Sequence, residues 1–320
     1  MFDGESGKIR LGIAKCLLGE NVRYDGTHKL DRYIRDVLGP YVEWVPVCPE
    51  VECGMGVPRE AVRLFGDVDN PRLVGRNSGE DWTDRMQSWG RKKLEVLEKE
   101  NLCGFIFKHG SPSNAMGRMK VYNEDGRIFY SGTGIWARMV MDRFSDLPCE
   151  DDGRLHDNGI RENFINRIFT FKRWRDAMAD GFSPAKLVDF HTRHKMLIMA
   201  HNETIYRKMG KLVATAGSAD PDELKNEYSA LLFKALDYRP TVKKHVNVLS
   251  HTLGHFKKDI TSDEKQEMLK LIDQYHSGLI PLIVPVTMLN HYVLKYGKEY
   301  LQQQFYLNPY PAELMLRNHV

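Results

Sequence analysis

A chain of 320 residues that is 42% hydrophobic and 28% charged has the composition of an ordinary globular protein with room for two domains, which excludes disorder as its main content. No apolar run reaches the roughly 20 residues needed to cross a bilayer. The opening MFDGESGKIR has acids where a signal peptide carries basic and then apolar residues, so a cytoplasmic location with no membrane partner is expected.

Five cysteines, an odd number without an export signal, argue against a disulfide framework and leave free thiols or metal ligands. Residues 1–150 carry 22 basic and 23 acidic side chains, whereas residues 151–320 carry 24 and 20 and hold ten of the twelve histidines. A balance this modest suits nucleic acid and solvated helix faces equally.

In chain order, residues 9–14, 42–47 and 104–107 are short apolar runs of the kind that form strands buried on both faces of a parallel sheet. The first leads into Lys15-Cys16, the second into Cys48-Pro49-Glu50 and the third into Lys108 and Ser111-Pro112-Ser113. In an open α/β sheet ligands bind at the carboxyl edge, so these three points are expected to form one site. Between the runs, residues 31–38 read as a short helix, and residues 81–100 read as an amphipathic one with Met86, Trp89, Leu94 and Leu97 on its apolar side.

Asn123-Glu-Asp-Gly126 marks a hairpin, and Ser131-Gly-Thr-Gly134 opens a helix over 135–144, either as an anion-binding turn or as a tight turn into a packing helix. The polar stretch at 147–154 is the expected junction. Beyond it the pattern is helical to the end, with helices starting near residues 161, 183, 203, 221, 242, 262, 286 and 299. The fold class expected is therefore an α/β domain over 1–150, a small parallel or mixed sheet with flanking helices, followed by an all-α domain over 151–320.

His191 and His194 (i, i+3) and His251 and His255 (i, i+4) share helix faces but lack an HExxH pattern or a nearby cysteine, which argues against a metal site. Lys243, Lys244, Lys257 and Lys258 are candidates for phosphate contact.

The runs GIAKCLLGENVRYDGTHK, CPE followed by GMGVPR, and FIFKHGSPS resemble the thiouracil desulfidase (TudS) family. DFHTRHKMLIMAH, KKHVNVLSHTLGHFKK and YPAELMLRNHV resemble the all-helical domain of YbgA-type proteins that is often fused to it. The two-domain order resembles that of the RudS-type desulfidases acting on 4-thiouridine in tRNA.

The resemblance implies a 4Fe-4S cluster held by three cysteines, and non-redox removal of sulfur, as sulfide, from tRNA 4-thiouridine or from a thiolated uracil base or nucleotide. It makes Cys16 and Cys48 cluster ligands, Glu50 the acid/base and Ser111 a polar partner of the substrate. Without the resemblance, the same residues read as structural cysteines and a solvated glutamate, and Cys48 beside Glu50 also admits a thiolate hydrolase.

One position departs from the family pattern: the third cluster cysteine is Asn114, a hard neutral ligand. Cys53 is the possible substitute, since Cys103 lies eleven residues from Asn114, about 35 Å along an extended strand. The alternative is a catalytically impaired RNA-binding relative without an intact cluster. In the helical domain the expected role is to hold RNA, with Tyr24 or Trp136 of the first domain offered for stacking on an exposed base.

Overall fold

Parallel pairing needs long crossovers, and the first half of the chain supplies them between its apolar runs. The computed structural model describes residues 7–319. In chain order its first unit, Gly7–Asp157, contains β1 (Ile9–Ala14), β2 (Val42–Val47), α1 (Pro49–Glu52), β3 (Val62–Gly66), β4 (Pro71–Gly75), α2 (Thr83–Lys99), β5 (Gly104–Phe107), β6 (Met119–Tyr122), β7 (Ile128–Gly132), α3 (Ile135–Arg143) and β8 (Cys149–Asp151).

The three expected strands lie together in a wholly parallel sheet of order β2-β1-β5-β8. The chain leaves β1 on one side as β2 and returns on the other as β5. The crevice at the carboxyl ends of β1 and β5 is therefore a topological switch point. A second, mixed sheet has the order β4-β3-β6-β7, with β3 and β6 parallel and both outer pairs antiparallel.

The polar stretch read as the junction contains β8, which extends the parallel sheet beyond β5, and the division between the units falls after Asp157. Gly12 has a specific reason to be glycine. A Cβ there would meet the Phe105 ring at 2.1 Å, so its absence lets Phe105 lie against β1. Phe105 stacks on Phe107 at 4.4 Å and meets Trp136 edge-on at 6.4 Å, and all three rings are fully buried.

The second unit, from Asn158 onward, is helical as expected: α4 (Asn158–Met178), α5 (Pro184–His201), α6 (Glu203–Ala214), α7 (Pro221–Asp237), α8 (Val242–Gly254), α9 (Ser262–His276), α10 (Ile283–Lys295) and α11 (Glu299–Gln302). Ser183, Asn202, Asp220, Thr241 and Thr261 cap five of them with side-chain oxygens. Two apolar clusters fill the unit, one around Trp174, Phe190 and Tyr228 and one around Leu249, Phe256 and Tyr292.

Gly134, weighed as an anion-binding turn, instead permits a close backbone approach. A Cβ there would lie 2.4 Å from the Ser113 carbonyl oxygen, while the Gly134 amide donates to Ala115 O at 2.8 Å and the Ala137 amide to Ser113 O at 3.1 Å. The first turn of α3 thus holds the 113–115 loop in place. Gly134→Ala is expected to destabilise the fold by about 1–3 kcal/mol, because backbone must shift to admit the methyl group. A urea titration measures this, and stability within 0.3 kcal/mol of the parent would contradict so tight a contact.

Candidate functional site

All the strands of the parallel sheet point the same way, so their carboxyl ends gather the residues that follow them. β1 runs into a single tight turn carrying Cys16, β2 into Cys48 and the short helix α1, and β5 into the loop that contains Ser111 and Asn114. Together they line a cavity of about 280 Å³ that contains Cys16, Cys48, Glu50, Ser111 and Asn114. The structure therefore brings together five of the six residues assigned to the reaction or the cluster, Cys53 being the exception.

At its centre is the Glu50 carboxylate, only 8% exposed. Oε1 accepts the Ser111 hydroxyl at 3.1 Å and also the Ser113 hydroxyl, while Oε2 faces the Arg59 guanidinium at 3.9 Å and the Cys48 thiol at 3.6 Å. Removing a carboxylate from water costs several kcal/mol. Charge-assisted hydrogen bonds at roughly 1.5–3 kcal/mol each offset it. Arg59 is itself fixed, donating to Val22 O at 3.0 Å and to Gly56 O at 2.9 Å.

Cys48 is anchored through its backbone. Its amide donates to Glu52 Oε1 at 3.0 Å, and Glu52 is paired with Lys15 at 3.4 Å and Lys93 at 3.1 Å. Burial first, and the Glu50 charge second, raise the Cys16 thiol to about 11 and the Cys48 thiol to about 12. Both therefore rest as neutral thiols at physiological pH, with the Cys48 thiol facing the Glu50 carboxylate.

The loop after β5 is tied down from β8. Lys108 Nζ pairs with Asp152 at 2.8 Å, and the His109 amide donates to the same carboxylate at 2.5 Å. Asn114 is 4% exposed, donates Nδ2 to Ser113 Oγ at 3.2 Å and has no partner for Oδ1.

Two thiols and one amide do not fit the seat of a 4Fe-4S cluster, which is built from thiolates. Among the described residues no group of three or more histidine, cysteine or acidic side chains is placed to hold a metal ion. Cys53 does not line the cavity. It ends α1, donates its thiol to Glu50 O at 3.3 Å and packs against the core of the second sheet around Leu64 and Met86. Cys103 is buried just ahead of β5, at the opposite end of that strand from the loop.

Sequence reasoning missed Ser113 and Arg59 as partners of Glu50, although both lie inside motifs it quoted. Of the two aromatic residues offered for stacking, Tyr24 lines the cavity and is 45% exposed, whereas Trp136 is sealed in the core and reaches no ligand.

Among the candidate phosphate-binding lysines, Lys243, Lys257 and Lys258 are exposed. Lys244 has a structural task, with its ammonium donating to His201 O at 2.5 Å and Arg239 O at 3.3 Å. His191 and His194 are core residues bonded to Tyr228 and to Phe190 O.

The family model described as 2-thiouracil desulfurase matches residues 11–152, and that described as protein of unknown function DUF1722 matches residues 195–311. The protein YbgA of Escherichia coli (strain K12) is 32% identical over 158 residues, which are 49% of this chain and 94% of YbgA. The solved structure of the [4Fe-4S]-dependent thiouracil desulfidase TudS is 26% identical, with a TM-score of 0.39 over 48% of this chain and 98% of that one. With a region that matches the 2-thiouracil desulfurase model ahead of one that matches DUF1722, the chain belongs to the family of YbgA.

Proposed function

We propose that the first unit is a desulfidase that binds a thiolated uracil in the Glu50 cavity and exchanges its sulfur for oxygen from water. The observation that carries this reading is the placement of Glu50. An acceptor-rich carboxylate is held by two serine hydroxyls and an arginine inside a cavity at the switch point of the sheet, beside two neutral thiols. The 2-thiouracil desulfurase match over the same residues supports it.

The step needs no electron transfer. Glu50 takes a proton from water as the oxygen adds to the thiocarbonyl carbon. The C–S bond then breaks as the C=O bond forms, and sulfur departs with the two protons of that water as hydrogen sulfide. Ser111 and Ser113 keep the carboxylate aimed, and Arg59 stabilises it when ionised. Cys16 and Cys48 contribute soft, weakly hydrogen-bonding walls suited to a sulfur atom.

The finer assignment is 4-thiouridine in tRNA, with the free base and the nucleotide as the other substrate forms. Asn114 favours a second reading, capture of the thiolated base without turnover, because the family position for a cysteine is filled by an amide.

Turnover is measured as loss of the thiocarbonyl absorbance together with sulfide release, on 4-thiouridine-containing tRNA, 4-thiouridine monophosphate and 2-thiouracil. Glu50→Gln is expected to lower the rate by about 10²–10⁴ while binding is retained. Binding without sulfide release by the parent chain would select capture, and absence of binding to all three compounds would sink both readings.

The thiols give an independent check. With pKa values of about 11 and 12, alkylation of Cys16 and Cys48 should keep rising with pH, by roughly tenfold per unit, through the range where an ordinary thiol levels off. Glu50→Gln removes the second cause of both shifts, so Cys48 should alkylate faster in that variant. A plateau near pH 8.5, followed by mass spectrometry, would contradict the buried, carboxylate-flanked thiols.

A further inference from the structure

The helical unit contains a cavity of about 290 Å³ that the proposed desulfidase does not use. Val242, Ile280 and Leu282 give it apolar walls, and several polar side chains that are otherwise buried reach it from α4, α8, α9 and the residues after α11.

His245 is 7% exposed and its Nδ1 lies 3.0 Å from the hydroxyl of Tyr306, which is fully buried. Leaving a buried donor unmade costs about 1–3 kcal/mol, so the Tyr306 phenol donates to His245 Nδ1 and His245 carries its own proton on Nε2. Burial holds the ring well below the usual imidazole range, hence neutral.

The Tyr275 ring sits 6.3 Å from the His245 ring and lines the cavity. Glu162 uses Oε1 to accept from Tyr310 at 2.9 Å and from Arg317 Nε at 3.1 Å, which leaves Oε2 open. Arg317 donates Nη1 to Tyr306 O at 2.8 Å, which leaves Nη2. Asn163 donates Nδ2 to Leu236 O at 3.3 Å, which fixes the amide orientation and leaves Oδ1 without a partner.

The cavity thus sets the carboxylate of Glu162 beside the cationic Arg239 and Arg317 and the imidazole of His245, between apolar walls and a tyrosine ring. A phosphate or carboxylate alone is a poor match to a wall that carries the Glu162 carboxylate. A flat heterocycle with N–H groups and carbonyl or ring-nitrogen acceptors on one rim matches both sets, and a volume near the lower end of ligand pockets suits a single ring system. We propose that this cavity of the helical unit binds a nucleobase.

The test is calorimetric titration of the full chain with the four ribonucleoside monophosphates, with ribose 5-phosphate, and with a short single-stranded oligoribonucleotide. At least one nucleotide is expected to saturate the protein while ribose 5-phosphate does not. Similar affinity for nucleotide and oligonucleotide would identify a free nucleotide as the ligand, and tighter oligonucleotide binding would identify a base within RNA.

Tyr275→Phe removes one hydroxyl, and Ile280→Trp fills the cavity from its partly exposed wall. Each should weaken binding at least tenfold while the melting temperature stays near that of the parent. Failure of every nucleotide to saturate, equal binding of ribose 5-phosphate, or unchanged affinity in Ile280→Trp would overturn the assignment.

Discussion

A carboxylate taken out of water inside the first unit sets the demands that the surrounding residues meet. Glu50 is tolerable there only because Ser111, Ser113 and Arg59 surround it, and each of these is held in turn. Two backbone carbonyls orient Arg59, and α3 grips the backbone of the serine loop through Gly134 and Ala137. β8 secures the start of that loop through Asp152, and Glu52 with its two lysines positions Cys48. The parallel sheet makes this possible, since β1, β2 and β5 end at one edge and the residues after them gather there.

Much of this was legible in the sequence where burial writes a one-dimensional signal. β1, β2 and β5 are apolar runs that end in polar or sulfur residues, and the helices beyond residue 158 show caps and 3.6-residue spacing. β3 and β4 were not legible. Val62-Arg63-Leu64-Phe65 and Pro71-Arg72-Leu73 are short and interrupted by arginines that lie over Phe65. β8 was hidden because three residues in an acidic stretch read as a linker, and only pairing with β5 makes them a strand.

The site shows the same division. Cys16, Cys48, Glu50 and Ser111 could be named from their places at strand ends, but the partners of Glu50 depend on a fold that brings residues 59 and 113 to residue 50. Lys244 illustrates the converse: a lysine on a basic stretch looks like a ligand contact until the structure shows its ammonium closing the carbonyl ends of other segments. Trp136 likewise has the chemistry of a stacking platform and the surroundings of a core residue. The helical unit carries its own polar chemistry in a separate cavity, which His245, Tyr275, Glu162 and Arg317 line together with apolar walls.

The central claim is that Glu50 organises a site with two neutral thiols and an amide, and that this donor set is no seat for a 4Fe-4S cluster. Iron and acid-labile sulfide per chain, measured after anaerobic reconstitution and removal of unbound metal, test it directly. The parent chain should retain close to none, and Asn114→Cys, which restores a third thiol at the same loop position, should retain about four of each. Four iron and four sulfide on the parent chain would contradict the claim and place the amide, or another thiol, on a cluster.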